Sequence, residues 1–132
     1  MCTSSLRFKN AYGPIYISNH CVSRMKSRAK LKTKDKRRVF IARAAKHSLL
    51  LQQIPKIEGF REFYLYFKRI VANEVKKSRD RDVYFYKNYF LIVTSFGTVV
   101  TILNIDKEFN GIFDDIKEAI RCKRENEIVV AV

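Results

Sequence analysis

His20, Arg24 and Arg28 stand four residues apart in the stretch Ile17-Ser18-Asn19-His20-Cys21-Val22-Ser23-Arg24-Met25-Lys26-Ser27-Arg28. On a helix, residues at that spacing lie above one another on one face. An imidazole exchanges protons near neutral pH, and a guanidinium stays charged and grips two phosphate oxygens through its planar fork. The string therefore reads as a phosphate-handling stripe with an acid/base group at its start. Transfer of an RNA phosphate to its own 2′-oxygen needs that equipment: a base, an acid for the leaving 5′-oxygen, and cations for the developing charge, with no metal required. The plainer reading of His20 is a half-exposed residue that opens a helix.

The surrounding charge favours a polyanionic partner. The chain has 132 residues, 27 Lys and Arg against 13 Asp and Glu, and a formal charge of +14, a field that attracts nucleic acid. Arg24 to Lys46 holds eleven basic residues and one acid, Asp35, whereas Ile102 to Val132 holds five basic and seven acidic residues. Lys26, Lys30, Lys32, Lys34, Lys36, Arg37 and Arg38 are thus nucleic-acid-binding candidates. Nucleic acid leads as partner class, whether RNA, DNA or a ribonucleoprotein. Tyr86 and Tyr84 are weaker candidates for base stacking or proton relay.

Other chemistries find little support. The four glycines form neither a phosphate-binding nor a dinucleotide-binding loop, so no nucleotide cofactor is expected. No His, Cys, Asp or Glu cluster has metal-site spacing; a magnesium site would need the fold to assemble Asp80, Asp82, Asp114 and Asp115, carboxylates of a kind common on surfaces, so a metal nuclease is the third choice. Cys2, Cys21 and Cys122 are odd in number and far apart, which speaks against a disulfide framework and fits a reducing cytoplasm. Met1 to Asn10 lacks the apolar core of a signal peptide, and no apolar run nears the roughly 20 residues that span a bilayer. His47 reads as structural.

These residues need a scaffold, and the chain length suits one domain, 1–132. Residues 1–11 read as loose, followed by turn chemistry at Tyr12-Gly13-Pro14 and an extended Ile15 to Ile17. Residues 18–77 form a helical basic part. Ser18 or Asn19 caps a first helix running to about Lys30, with Cys21, Val22, Met25 and Ala29 as its apolar stripe, and Thr33 caps a second, Lys34 to about Gln52. Pro55 and Gly59 mark a break. Phe60 to about Lys77 is a third helix, whose Phe60, Phe63, Tyr64 and Phe67 follow core spacing. Residues 82–104 switch to strand chemistry: Val83–Tyr86, a Lys87-Asn88 turn, Tyr89–Thr94, a Ser95-Phe96-Gly97 turn and Thr98–Asn104, an antiparallel meander. Residues 105–132 give a helix near Ile112 to Lys123 and a candidate last strand at Glu127 to Val130. The fold class is α+β, with two to three N-terminal helices on an antiparallel sheet of three to five strands and a C-terminal helix. Near-continuous apolarity in the meander leaves open which parity faces inward and points to a sheet covered on both faces, or to one face that binds a partner.

The order of these pieces resembles the small metal-independent toxin-type ribonucleases, the superfamily of RelE-like and BrnT-like toxins with barnase and the colicin ribonucleases. Uncharacterised phage and bacterial members open with an Ile-x-x-His-x-x-x-Arg-x-x-x-Arg helix and close on a Val-Thr strand, matched here by Ile17 to Arg28 and Tyr84 to Asn104. The third helix and the residues after Asp106 depart from that pattern. The resemblance implies an endoribonuclease with His20 as acid/base, Arg24 and Arg28 as electrostatic stabilisers and Thr101 positioning a phosphate; Thr101 is otherwise an ordinary strand residue. Whether a protein antidote or protein target is a further partner is not legible. The reading from a different class is a non-catalytic basic module, such as a phage counter-defence inhibitor of the anti-CRISPR kind, occupying a nucleic-acid site or an acidic protein surface. Oligomeric state is not legible.

Overall fold

The computed structural model describes residue 8 and residues 15–57, 59–75 and 81–131. Residues 1–11 apart from Phe8, where the sequence predicts a loose segment, Tyr12-Gly13-Pro14, where it predicts a turn, and residues 76–80 lie outside the described residues. The fold is α+β, with four helices and a five-stranded sheet in the order β1-β5-β4-β3-β2.

The centre of the sheet is the meander. β3 (Arg81–Tyr86), β4 (Tyr89–Thr94) and β5 (Thr98–Asn104) are runs of aromatic and β-branched residues, and they pair antiparallel in sequence order. A Lys87-Asn88 turn joins the first two, with Lys87 at φ 54°. In β5 an extra residue, Val100, is accommodated by a bulge where Val93 pairs with Val99 and Ile92 with Thr101.

Two short strands complete the sheet. β1 (Tyr16–Ile17) runs parallel to β5, so the sheet is mixed. β2 (Leu49–Leu50) pairs antiparallel with Phe85 and Tyr84 on β3. That pairing ends the second helix earlier than its apolar pattern suggests: α2 spans Lys34–His47, Ser48 turns extended, and Leu51–Lys56 forms a 3₁₀ helix around Pro55. The free edge of β3 outweighs the helical preference of the Leu triplet.

Helices cover both faces. Directly paired residues share a face, so Tyr86 and Tyr89 lie on one side, and Phe85 and Phe90, with Val83, Ile92 and Thr101, lie on the other. Phe40 of α2 packs edge-on against Tyr86 and Tyr89. Phe63 and Phe67 of α3 (Arg61–Val75) pack against Phe85 and Phe90. Phe8 closes over Tyr84, with ring centroids 4.7 Å apart. The rings of Phe63, Phe67, Phe85 and Phe90 are the centre of a core that is continuous from α1 to α4.

α1 (Asn19–Arg28) starts at Ser18, whose Oγ accepts from the Cys21 amide at 3.0 Å, and buries Cys21 and Met25. It ends with Lys30 at φ 55° and the Leu31 amide donating to the Met25 carbonyl at 3.0 Å, a left-handed C-terminal cap. Thr33 caps α2 in the same way as Ser18 caps α1, accepting from the Lys36 amide at 3.2 Å.

One expectation is overturned in the C-terminal part. Glu127 to Val130 is not a strand: α4 runs unbroken over Ile112–Ala131. No Gly or Pro interrupts the segment after Gly111, and a valine pair alone does not stop a helix already propagating.

Candidate nucleic-acid interface

α1 and the strand β5 are laced together at both ends of the helix. Ser18 Oγ donates to the Val100 carbonyl at 2.9 Å, and Arg28 Nη1 donates to the Ile102 carbonyl at 3.0 Å. In return Asn104 Nδ2 donates to the Arg28 carbonyl at 3.4 Å. The two carbonyls taken by α1 flank Thr101, so the helix that carries His20 lies along the strand that carries Thr101. The side chains differ in setting, however. Thr101 is 4% exposed on the face that α3 packs against, whereas His20 is exposed on the first turn of α1.

The three members of the stripe therefore have different standing. Among the described residues the His20 and Arg24 side chains form no hydrogen bond or ion pair. Arg24 is half-buried one turn beyond His20, an unpaired cation whose donors are open to an anion. Arg28 is also half-buried, but its guanidinium is engaged with backbone. Arg37 is engaged in the same manner, with Nη1 donating to the Leu31 carbonyl at 3.0 Å and so bracing the α1–α2 link.

The remaining cations face solvent. Lys26, Lys30, Lys32, Lys34, Lys36, Arg38, Arg43 and Lys46 are all exposed along α1, the link and α2. The one carboxylate among them, Asp35, meets Arg38 at 3.3 Å. An exposed pair of that kind holds little energy, and a single carboxylate leaves the face strongly positive.

Beside this surface, α2 and the β3–β4 turn enclose an open groove of about 490 Å³. Val39, Phe40 and Tyr89 give it apolar walls, and Lys36, Arg43 and Lys87 stand at it as cations. Tyr86, the ring expected to meet a base, is only 6% exposed and packs against Phe40 and Phe113. Tyr89 and Phe40 are half-buried and more open. Sequence reading missed them because both sit in runs whose other apolar positions belong to the core. Lys36, Val39, Phe40 and Arg43 do fall at helical i, i+3, i+4 and i+7, a mixed cationic and apolar stripe that was the available signal.

A second cavity, of about 340 Å³, opens between α3 and β3 and is lined by Tyr64, Lys68, Val71 and Arg81. The buried Nε of Arg81 has no hydrogen-bond partner. Among the described residues no three His, Cys, Asp or Glu side chains gather at metal-binding distance, and no helix is long and apolar enough to cross a membrane.

Comparison with protein-family models, with curated proteins and with solved structures finds no match to this chain.

Proposed function

We propose that the protein binds nucleic acid, RNA foremost, on the face formed by α1, the α1–α2 link and α2. The observation that supports this is the row of exposed cations from Lys26 to Lys46 with a single carboxylate, Asp35, beside them. Each lysine or arginine that meets a phosphate releases a condensed counterion, so affinity falls steeply with salt. A cytoplasmic location suits this reading, as do the free thiols of Cys21 and Cys122. The test is titration of a labelled oligoribonucleotide at rising salt. Affinity should drop by about two orders of magnitude between 50 and 200 mM salt, and joint replacement of Lys30, Lys34 and Arg38 by Glu should weaken it further without altering the circular dichroism. A flat salt response would sink the proposal.

A second reading, metal-independent RNA cleavage, is favoured by the exposed His20 one turn before the unpaired, half-buried Arg24. In this reaction the 2′-oxygen attacks phosphorus and the bond to the 5′-oxygen breaks. The 2′-hydroxyl proton goes to a base, the 5′-oxygen receives a proton from an acid, and a 2′,3′-cyclic phosphate remains. His20 takes one of the two proton roles, and Arg24 binds the non-bridging oxygens. Incubation of structured RNA with chelator decides it: wild type cleaves and His20→Ala does not, with equal affinities. If wild type leaves the RNA intact, the cleavage reading falls and the binding reading stands alone, with a non-catalytic module such as a phage counter-defence inhibitor as its alternative role.

A further inference from the structure

We infer that the groove between α2 and the β3–β4 turn is a nucleobase subsite, through which the protein selects single strands over duplexes. The inference rests on the nucleic-acid reading above and deepens it. Phe40 reaches the groove from α2 and Tyr89 from β4, their rings 5.6 Å apart and nearly perpendicular. Both are half-buried, so the fold holds them firmly while leaving part of each ring open. Val39 adds an apolar side chain that is 49% exposed in the middle of a strongly basic helix. Apolar surface placed there does nothing for phosphate binding, but it fits the flat face of an unstacked base.

The cations are arranged to match. Lys36 and Arg43 bracket Val39 and Phe40 on one helix face, roughly 10.5 Å apart at 1.5 Å rise per residue. A strand running along α2 would therefore meet a cation on either side of the inserted base. Lys87 approaches from the opposite wall, its Nζ 5.9 Å from the centroid of the Tyr86 ring and 3.9 Å from Asp114. Asp35 is the carboxylate at the groove, and Arg38 offsets its charge. In a duplex the bases are stacked inward and only the backbone is offered, so the lysines and arginines would act alone. A single strand can use cations and rings together.

The experiment compares a 12-nucleotide single-stranded RNA with a 12-base-pair RNA duplex, using wild type, the uncharged Val39→Ser and Tyr89→Ala. Val39 is on the surface, so its variant should fold normally; melting curves check both. Wild type should bind the single strand more tightly than the duplex. Tyr89→Ala should lose about tenfold in single-strand affinity, as loss of one base stack predicts, and Val39→Ser should lose a smaller amount, both with duplex affinity within twofold of wild type. A single strand carrying 5-iodouridine should photocrosslink to Phe40 or Tyr89. Equal wild-type affinity for the two forms, or variants that leave single-strand binding intact, would overturn the subsite while leaving the basic face standing. Binding of neither form would overturn the nucleic-acid reading itself, and the subsite with it.

Discussion

Arg28 and Ile102 are 74 residues apart in sequence, and the guanidinium of the first donates to the carbonyl of the second at 3.0 Å. The bond follows from the shortness of β1. That strand pairs only Tyr16 and Ile17 with Thr98 and Val99, so among the described residues no strand bonds the carbonyls on the outer edge of β5 beyond Val99. Ser18 Oγ takes Val100 and Arg28 takes Ile102. An unpaired backbone group costs free energy when water is excluded, and an open edge invites pairing with other chains. α1 thus serves as a side-chain substitute for a longer edge strand.

Arg28→Ala should accordingly behave as a stability mutation. A hydrogen bond from a charged donor contributes about 1.5 to 3 kcal/mol, and half-burial of Arg28 places it toward the lower value. Thermal unfolding should show a lower midpoint, while RNA affinity of the folded protein should change less than with Lys34→Glu. A large affinity loss at unchanged midpoint would mean that Arg28 is a phosphate ligand and its bond to Ile102 incidental.

Much of the scaffold was legible where a local signal acts alone. Ser18 and Thr33 cap the helices that their hydroxyls mark, and Tyr89–Thr94 and Thr98–Asn104 have the bounds set by their flanking turns. What was not legible depends on distant partners. The parallel seat of β1, the capture of Leu49–Leu50 by β3 and the division of α2 and α3 between opposite faces are fixed only when the meander exists. Its strands are apolar at nearly every position and carry no parity signal. The same holds for the site. His20, Arg24 and Arg28 look equivalent at a spacing of four, but β5 engages one of them and leaves two.

Gly97 is the residue on which the β4–β5 turn depends. It is buried, has φ 92°, donates its amide to Thr94 and accepts from the Tyr16 amide at 3.0 Å. A Cβ at that φ is strained, at a cost of about 1 to 3 kcal/mol. Gly97→Ala should therefore lower the unfolding midpoint in urea, with β1 loosened alongside the turn. Hydrogen exchange at the Tyr16 and Ser18 amides should accelerate more than at β4 amides; uniform acceleration would contradict a local effect.

The two described cysteines should differ in reactivity. Burial pushes the Cys21 thiol up to about 12, whereas Cys122 is exposed at α4 with its Sγ 3.6 Å from Glu118. Since the thiolate is the reactive form, at pH 8 Cys21 is protonated and shielded. In a Cys2→Ser background an aromatic disulfide reagent should modify one thiol in the native protein and two in denaturant. Rapid native modification of both would show that α1 opens readily from β5.

Arg81 offers a stabilising substitution. Its Nε is buried without a partner in the cavity beside Tyr64 and Val71, and a buried unsatisfied donor costs about 1 to 3 kcal/mol. Methionine keeps an unbranched stem against the same apolar walls and removes the donor, so Arg81→Met should gain about 1 kcal/mol. For a chain of this length that is a rise of about 3 to 5 °C in the melting midpoint. Because Arg81 lies apart from the basic face, RNA affinity should stay within twofold of wild type. A lower midpoint would show that the guanidinium is held by something that offsets its burial, and an affinity loss would extend the nucleic-acid surface to the α3–β3 side of the sheet.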